Sequence, residues 1–246
     1  MIYIILINLF CLMTTAWLIY LLLKNASVID CFWPLAFMLT SCFYLSGNVS
    51  TTGTVLLAVI VIWSLRLFLY LLSTRLIPRH IEQRYGAPET TGIAYLWLNF
   101  QFQGLLVFLL TLPLYWVYLT PSFSLSHPLL LAITALQLLA ILAETVADLQ
   151  LYEFRKQSKS LVCETGFWYY SRHPNLFFDW LFWLLVSIEV SFVTPFAAIT
   201  PILLYVIMNH LTVPITEKQS LKRKGKAFSD YQDSTSRFFI WFKRSS

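Results

Sequence analysis

Apolar positions along the chain fall in long unbroken runs, neither alternating as in half-buried strands nor confined to one stripe of a surface helix. A helix needs roughly 20 mostly apolar residues to cross ~30 Å of hydrocarbon. The runs predict seven such helices, over residues 2–23, 28–46, 53–74, 98–120, 128–147, 175–191 and 192–210. The last two form one run divided near Glu189–Pro195, so six is the rival count. The first run lacks a basic n-region and a small-residue cleavage site, and is expected to be a retained span. The expected fold class is therefore all-α integral membrane: a single seven-helix domain over residues 1–246 with a tail from 217 to 246.

Composition agrees. The chain is 58% hydrophobic and only 12% charged, against about 25% charged for an average globular domain. That excludes a soluble fold, a disordered chain, a coiled coil and a disulfide-stapled secreted domain. Four scattered cysteines without CxxC spacing and four unclustered histidines give no expectation of a metal site.

Charge selects between the two counts. With seven spans, 16 of the 17 basic residues fall on one side: Lys24; Arg75, Arg79 and Arg84; Arg155, Lys156, Lys159 and Arg172; and eight after Glu217. The positive-inside rule makes that side cytoplasmic, with the N-terminus outside and the C-terminus inside. Six spans would put the basic tail on the opposite side from the other basic loops. The remaining basic residue, Arg66, lies inside the third span, where it costs ~2.5–3.5 kcal/mol unless paired or hydrated. Asp30, Glu144, Asp148 and Asp179 are expected at a similar depth, and together with Arg66 they suggest a polar cavity open to the cytoplasm.

Residues 148–175, DLQLYEFRKQSKSLVCETGFWYYSRHPN, combine a basic run with Trp168, Tyr169 and Tyr170, followed by Arg172, His173 and Asn175. Arginine forks grip phosphate and aromatic faces stack on planar rings. A helix started by Pro174 would also turn free N–H groups toward an anion. The same residues also fit an interfacial aromatic belt, and chemistry alone leaves both readings open. The tail's basic run and its FFIWF segment fit anchoring at an anionic lipid surface.

The run Gly166-Phe167-Trp168-x-Tyr170-x-Arg172-His173-Pro174-Asn175, with an acid at Asp179, resembles the signature of the membrane-embedded steroid 5α-reductase family, shared by sterol C14- and C7-reductases. The tail resembles theirs at Glu217, Lys224-Gly225, Phe228 and Tyr231. Glu144, Asp148 and Arg155 resemble the acid/arginine helix, and Trp63-x2-Arg66-x-Phe68-x-Tyr70 has the spacing of a third-helix motif. The resemblance implies NADPH-dependent reduction of a carbon–carbon double bond in an apolar enone, a steroid or similar lipid. It assigns the cofactor to Asp148, Arg155, Trp168, Tyr170, Arg172, His173, Asn175, Glu217, Tyr231 and Arg237, and places catalytic carboxylate chemistry on Asp30, just before Pro34. A buried, protonated Asp30 is expected to donate to the substrate oxygen. No GxGxxG occurs, so no Rossmann domain is expected.

Two departures matter. The family's carbonyl-polarising tyrosine falls on Trp63, whose indole donates a hydrogen bond but is no acid; Asp30 or Tyr44 is the substitute, or the substrate is not a 3-oxo steroid. After Asn175 the usual Tyr-x-Gly-Glu reads Leu176-Phe177-Phe178-Asp179. The RHP motif also resembles that of isoprenylcysteine and phospholipid methyltransferases, which use S-adenosylmethionine; Asn175 favours the reductase. The expected partners are an apolar small molecule and membrane lipids, with no nucleic acid. The protein is expected to be a monomer in a bacterial inner membrane or the endoplasmic reticulum.

Overall fold

A computed structural model describes residues 1–47, 50–78, 92–157 and 162–243. Arg79, Arg84, Lys159 and Arg244, all counted on the basic side, lie outside the described residues. The chain is all-α, with no strand among the described residues. Its helices are α1 (Ile2–Leu23), α2 (Ser27–Leu45), α3 (Thr51–Leu71), α4 (Ile93–Thr111), α5 (Leu114–Leu119), α6 (His127–Gln157), the single turn α7 (Phe167–Tyr170), α8 (Pro174–Ser191), α9 (Ile199–Val206), α10 (Val213–Lys224) and α11 (Lys226–Ser234). A wide turn, Leu72–Leu76, prolongs α3; a 3₁₀ turn, Pro195–Ala198, leads into α9, and another wide turn, Ile207–Thr212, fuses α9 to α10.

Among the described residues, six helices are long and apolar enough to cross a membrane: Ile2–Leu23, Ser27–Leu45, Thr51–Leu76, Ile93–Thr111, His127–Lys156 and Pro195–Lys224. The expected span 175–191 forms as α8, but its 18 residues carry both Asp179 and Glu189, and it is not among the six. The expected span 98–120 forms as two helices, α4 (Ile93–Thr111) and α5 (Leu114–Leu119), and two other helices run past their expected ends. The helix expected to end at 147 runs on to Gln157, and the one expected to end at 210 runs on to Lys224. Both extensions are polar, so hydropathy stops where the hydrocarbon stops, whereas backbone hydrogen bonding carries the helix onward. Much of the expected tail 217–246 is helical, in α10 to Lys224 and in α11 from Lys226 to Ser234.

The described chain forms two compact units, Met1–Thr134 with Val190–Thr200, and Ala135–Glu189 with Pro201–Ser246. In the first, α2 is the hub, packing against α1, α3, α4 and α5. Phe37, Tyr44, Leu56, Ile60 and Trp63 are wholly buried there. Lipid removes the hydrophobic drive between helices, so shape and single hydrogen bonds fix the packing. Gln101 donates to Thr14 at 3.1 Å between α4 and α1, and Thr200 donates to the Leu110 carbonyl at 2.7 Å. The second unit holds most of the remaining polar side chains, including buried Glu144 and Asp148.

Candidate functional site

In the second unit, the C-terminal turns of α6 carry Ala147, Asp148 and Gln150, and these fix the segment that follows. Gln150 accepts from the Phe167 N–H at 3.0 Å, and the Trp168 indole donates to the Ala147 carbonyl at 2.9 Å. Gly166 precedes α7 with φ of +60°, and a Cβ there would meet the Gln150 amide at 2.3 Å. Both facts demand glycine. After α7 the backbone extends through Ser171 to His173, and Pro174 then starts α8, placing Asn175 so that its amide donates to Asp148 at 3.1 Å.

Glu217, on α10, is the hub of the site. Its carboxylate accepts from Arg172 Nε at 2.7 Å, from Gln232 at 2.9 Å, and from the His173 ring at 3.2 Å. A carboxylate only accepts, so the neutral His173 ring carries its proton on Nε2. Burial pushes the His173 pKa below its ordinary value, only partly opposed by the hydrogen bond to Glu217. Arg172 also donates to the carbonyls of Gln232 and Thr235, at 2.8 and 2.6 Å. Tyr231, on α11, donates between the carbonyls of Trp168 and Ser171, and burial holds its phenol far above the ordinary range.

Residues 235–243 then run back across this core as a strap. The Arg172 N–H donates to the Ser236 carbonyl at 2.8 Å, Ser171 Oγ to Phe238 at 2.8 Å, and the Trp241 N–H to Tyr170 at 3.2 Å. Lys243 closes the strap onto Glu164 and lies 4.8 Å from the centre of the Tyr169 ring. Phe238 turns inward against Trp180 and Tyr205, whereas Trp241 and Phe242 point out. A cavity of about 770 Å³ lies at the strap, walled by Arg172, Gln232, Arg237, Phe239, Trp241 and Phe242, among others. This is within the 300–1,000 Å³ range usual for small-molecule sites.

Of the residues singled out from the sequence, Asp148, Trp168, Arg172, His173, Asn175, Glu217 and Tyr231 are thus brought into one hydrogen-bonded assembly. Tyr170 joins it through its carbonyl and through ring contact with Phe242 at 6.0 Å. Arg237 sits exposed in the cavity wall, and Arg155 is exposed two turns beyond Asp148 on α6. Asp30 and Trp63 belong to the first unit. Asp30 accepts a hydrogen bond from Arg75 at 2.5 Å, as one half of an ion pair. Trp63 is fully buried, edge-on to Phe37 at 5.4 Å. Of the acids and arginine expected around one cavity, Asp30 and Arg66 belong to the first unit, and Glu144, Asp148 and Asp179 to the second. Arg66 lies 5.8 Å from the centre of the Tyr70 ring, one turn along its own helix. Sequence reasoning missed Ser171, Gln232 and the Glu164–Lys243 closure. Of these only Ser171, next to the RHPN motif, carried a positional signal.

Among the described residues no cluster of three His, Cys, Asp or Glu side chains is placed to hold a metal ion.

A family model matches residues 16–235, nearly the whole chain. The chain belongs to the DUF1295 family. That family is described as proteins of unknown function and lies within the steroid 5α-reductase-like superfamily. A search of curated proteins returned no match.

Proposed function

We propose that the protein is a membrane oxidoreductase that reduces a carbon–carbon double bond in an apolar enone, a steroid or steroid-like lipid, with NADPH. One observation carries this reading. The Arg172–Asn175 motif is rigidly held by Asp148 and Glu217 beside a cavity that combines arginine with exposed aromatic rings. Cationic donors suit phosphate and flat rings suit a heterocycle, so the donor set fits a pyridine dinucleotide.

When bound, NADPH supplies the hydride that goes to the β-carbon of the enone. The chain's own work is to bind and orient. Asp148 fixes the Asn175 amide by taking one of its N–H groups, which leaves the amide oxygen to offer a polar ligand. Glu217 neutralises Arg172 and orients His173, so the wall of the site is set before a ligand arrives. Arg155 is the proposed partner of a 2′-phosphate. The donor to the substrate oxygen is assigned to Asp30, with the Trp63 indole or the Tyr44 hydroxyl as alternatives. For Asp30 this requires that the carboxyl exchange Arg75 for a proton.

In the proposed topology α8 is the sixth of seven spans, the N-terminus is outside and the site faces the cytoplasm, as the basic residues favour. The protein is proposed to act as a monomer in a bacterial inner membrane or the endoplasmic reticulum. A reporter fused after residue 243 tests the C-terminus: protease resistance of the reporter in sealed, right-side-out vesicles is expected, and cleavage would reverse the topology.

The rival chemistry is methyl transfer from S-adenosylmethionine, and Asn175 directly after Pro174 favours the reductase. In detergent, NADPH at about 100 times its Kd should stabilise the protein by roughly 2.7 kcal/mol. Stabilisation by S-adenosylmethionine and not by NADPH would replace the reductase with a methyltransferase.

A further inference from the structure

Two arginines wall the strap cavity, and their states differ. Arg172 has only 9% of its side chain exposed, and four of its five N–H groups are already donated: two to Glu217, one to the Gln232 carbonyl and one to the Thr235 carbonyl. Its main-chain N–H is donated as well, to Ser236. An arginine in that state has almost nothing left for a ligand. Its bonds run instead to the end of α11 and the start of the strap, the points from which residues 236–243 are aimed. Arg237 is exposed in the cavity wall, and its guanidinium makes no hydrogen bond among the described residues. Trp241 and Phe242, 70% and 76% exposed, stand in the same wall.

We infer that Arg237 is the group that grips a ligand phosphate in this cavity, with the outward strap aromatics beside the ligand's flat ring, and that Arg172 is a positioning residue that acts through the strap. The inference rests on the NADPH reading for the identity of the ligand, while the division of labour between the two arginines does not. It also makes the strap part of the binding site: the cavity exists only while the strap is fastened, because its walls are largely strap residues. An anionic lipid headgroup offers the same phosphate chemistry without the heterocycle. The paired aromatic faces favour the nucleotide.

The test uses the full chain in detergent, with NADPH as the probe and hydrogen exchange of the 235–243 peptide as a second readout. Arg237→Gln should weaken NADPH binding roughly 10- to 100-fold, the loss of one charge-assisted hydrogen bond, while strap exchange stays as slow as in the unsubstituted protein. Arg172→Lys cannot bridge Glu217 and two carbonyls at once, so its strap should exchange faster even without NADPH. Unchanged NADPH affinity in Arg237→Gln overturns the assignment, as does a loss of affinity in Arg172→Lys with the strap still protected. Should Arg237→Gln lower retention of phosphatidylglycerol and leave NADPH binding intact, the site belongs to a lipid headgroup. If the unsubstituted protein binds no NADPH, the functional reading and the ligand assignment fall together. Strap exchange in Arg172→Lys still decides the positioning role.

Discussion

The α1–α5 bundle and the Glu217 site are built by opposite means. In the bundle, large apolar side chains fill the space between helices, and Gln101 of α4 donates to Thr14 of α1 across one such interface. Around Glu217, one carboxylate takes hydrogen bonds from Arg172, His173 and Gln232, and Arg172 passes the constraint on to three backbone carbonyls. Packed helices in lipid tolerate a lost hydrogen bond, because each contributes little. A buried ionic network does not, because removing one member leaves its partners charged and dry. The bundle is therefore robust to point changes, whereas the site is rigid and vulnerable in one place.

The largest effect expected is at that place. Glu217→Ala should cost about 3–5 kcal/mol by stranding the buried Arg172 guanidinium, read as a fall in thermal midpoint with loss of strap protection. A loss below about 1 kcal/mol would mean that the network is solvated and that the contrast with the bundle is false. Next comes an ionic contact of the bundle, Asp30 with Arg75. Asp30→Asn and Arg75→Gln should each destabilise, and the double variant should recover a coupling of about 1–2 kcal/mol. Additivity would free Asp30 from a structural role and leave it to catalysis, with turnover as the readout.

The sequence made legible what depends on local order. Apolar runs gave the helices, and the close spacing from Trp168 to Asn175 gave most of the site. The ends of α6 and α10 escaped, because a helix that leaves the hydrocarbon keeps its backbone ladder while losing the apolar signal. Arg75 as the partner of Asp30 escaped for another reason: the two are 45 positions apart, and several other basic residues were equally available by composition. The strap was read as a lipid anchor because FFIWF is apolar. Yet its aromatics split, with Phe238 inward and Trp241 and Phe242 outward, and the side each ring takes is set by backbone hydrogen bonds to residues 170–172 that no pattern announces.

A smaller effect comes from His173. Its folded pKa lies below the ordinary value of 6.5, with burial as the main cause, while Glu217, Arg172 and Arg237 are the charges that act on it. Above pH 6.5 the ring is neutral in both folded and unfolded chains, and the stability from burying it neutral is fully present. As pH falls below 6.5, the unfolded chain takes up a proton that the folded site resists, so stability declines until the folded pKa is passed. Thermal midpoints taken from about pH 7.5 down to about pH 5.5 should fall more steeply for the unsubstituted protein than for His173→Gln. Parallel curves would place the acid sensitivity elsewhere.

The smallest effect tests the bundle's side of the contrast. Gln101 and Thr14 form a side-chain hydrogen bond between α4 and α1, both lined by lipid-length apolar sequence. Interhelical hydrogen bonds in bilayers average about 0.6 kcal/mol, because the separated helices find other partners. Gln101→Leu should therefore shift stability by no more than about 1 kcal/mol, and it should leave both strap exchange and NADPH affinity unchanged. A loss comparable to that of Glu217→Ala would show that polar contacts dominate the bundle too. The distinction between a tolerant scaffold and a single rigid ionic centre would then have no physical basis.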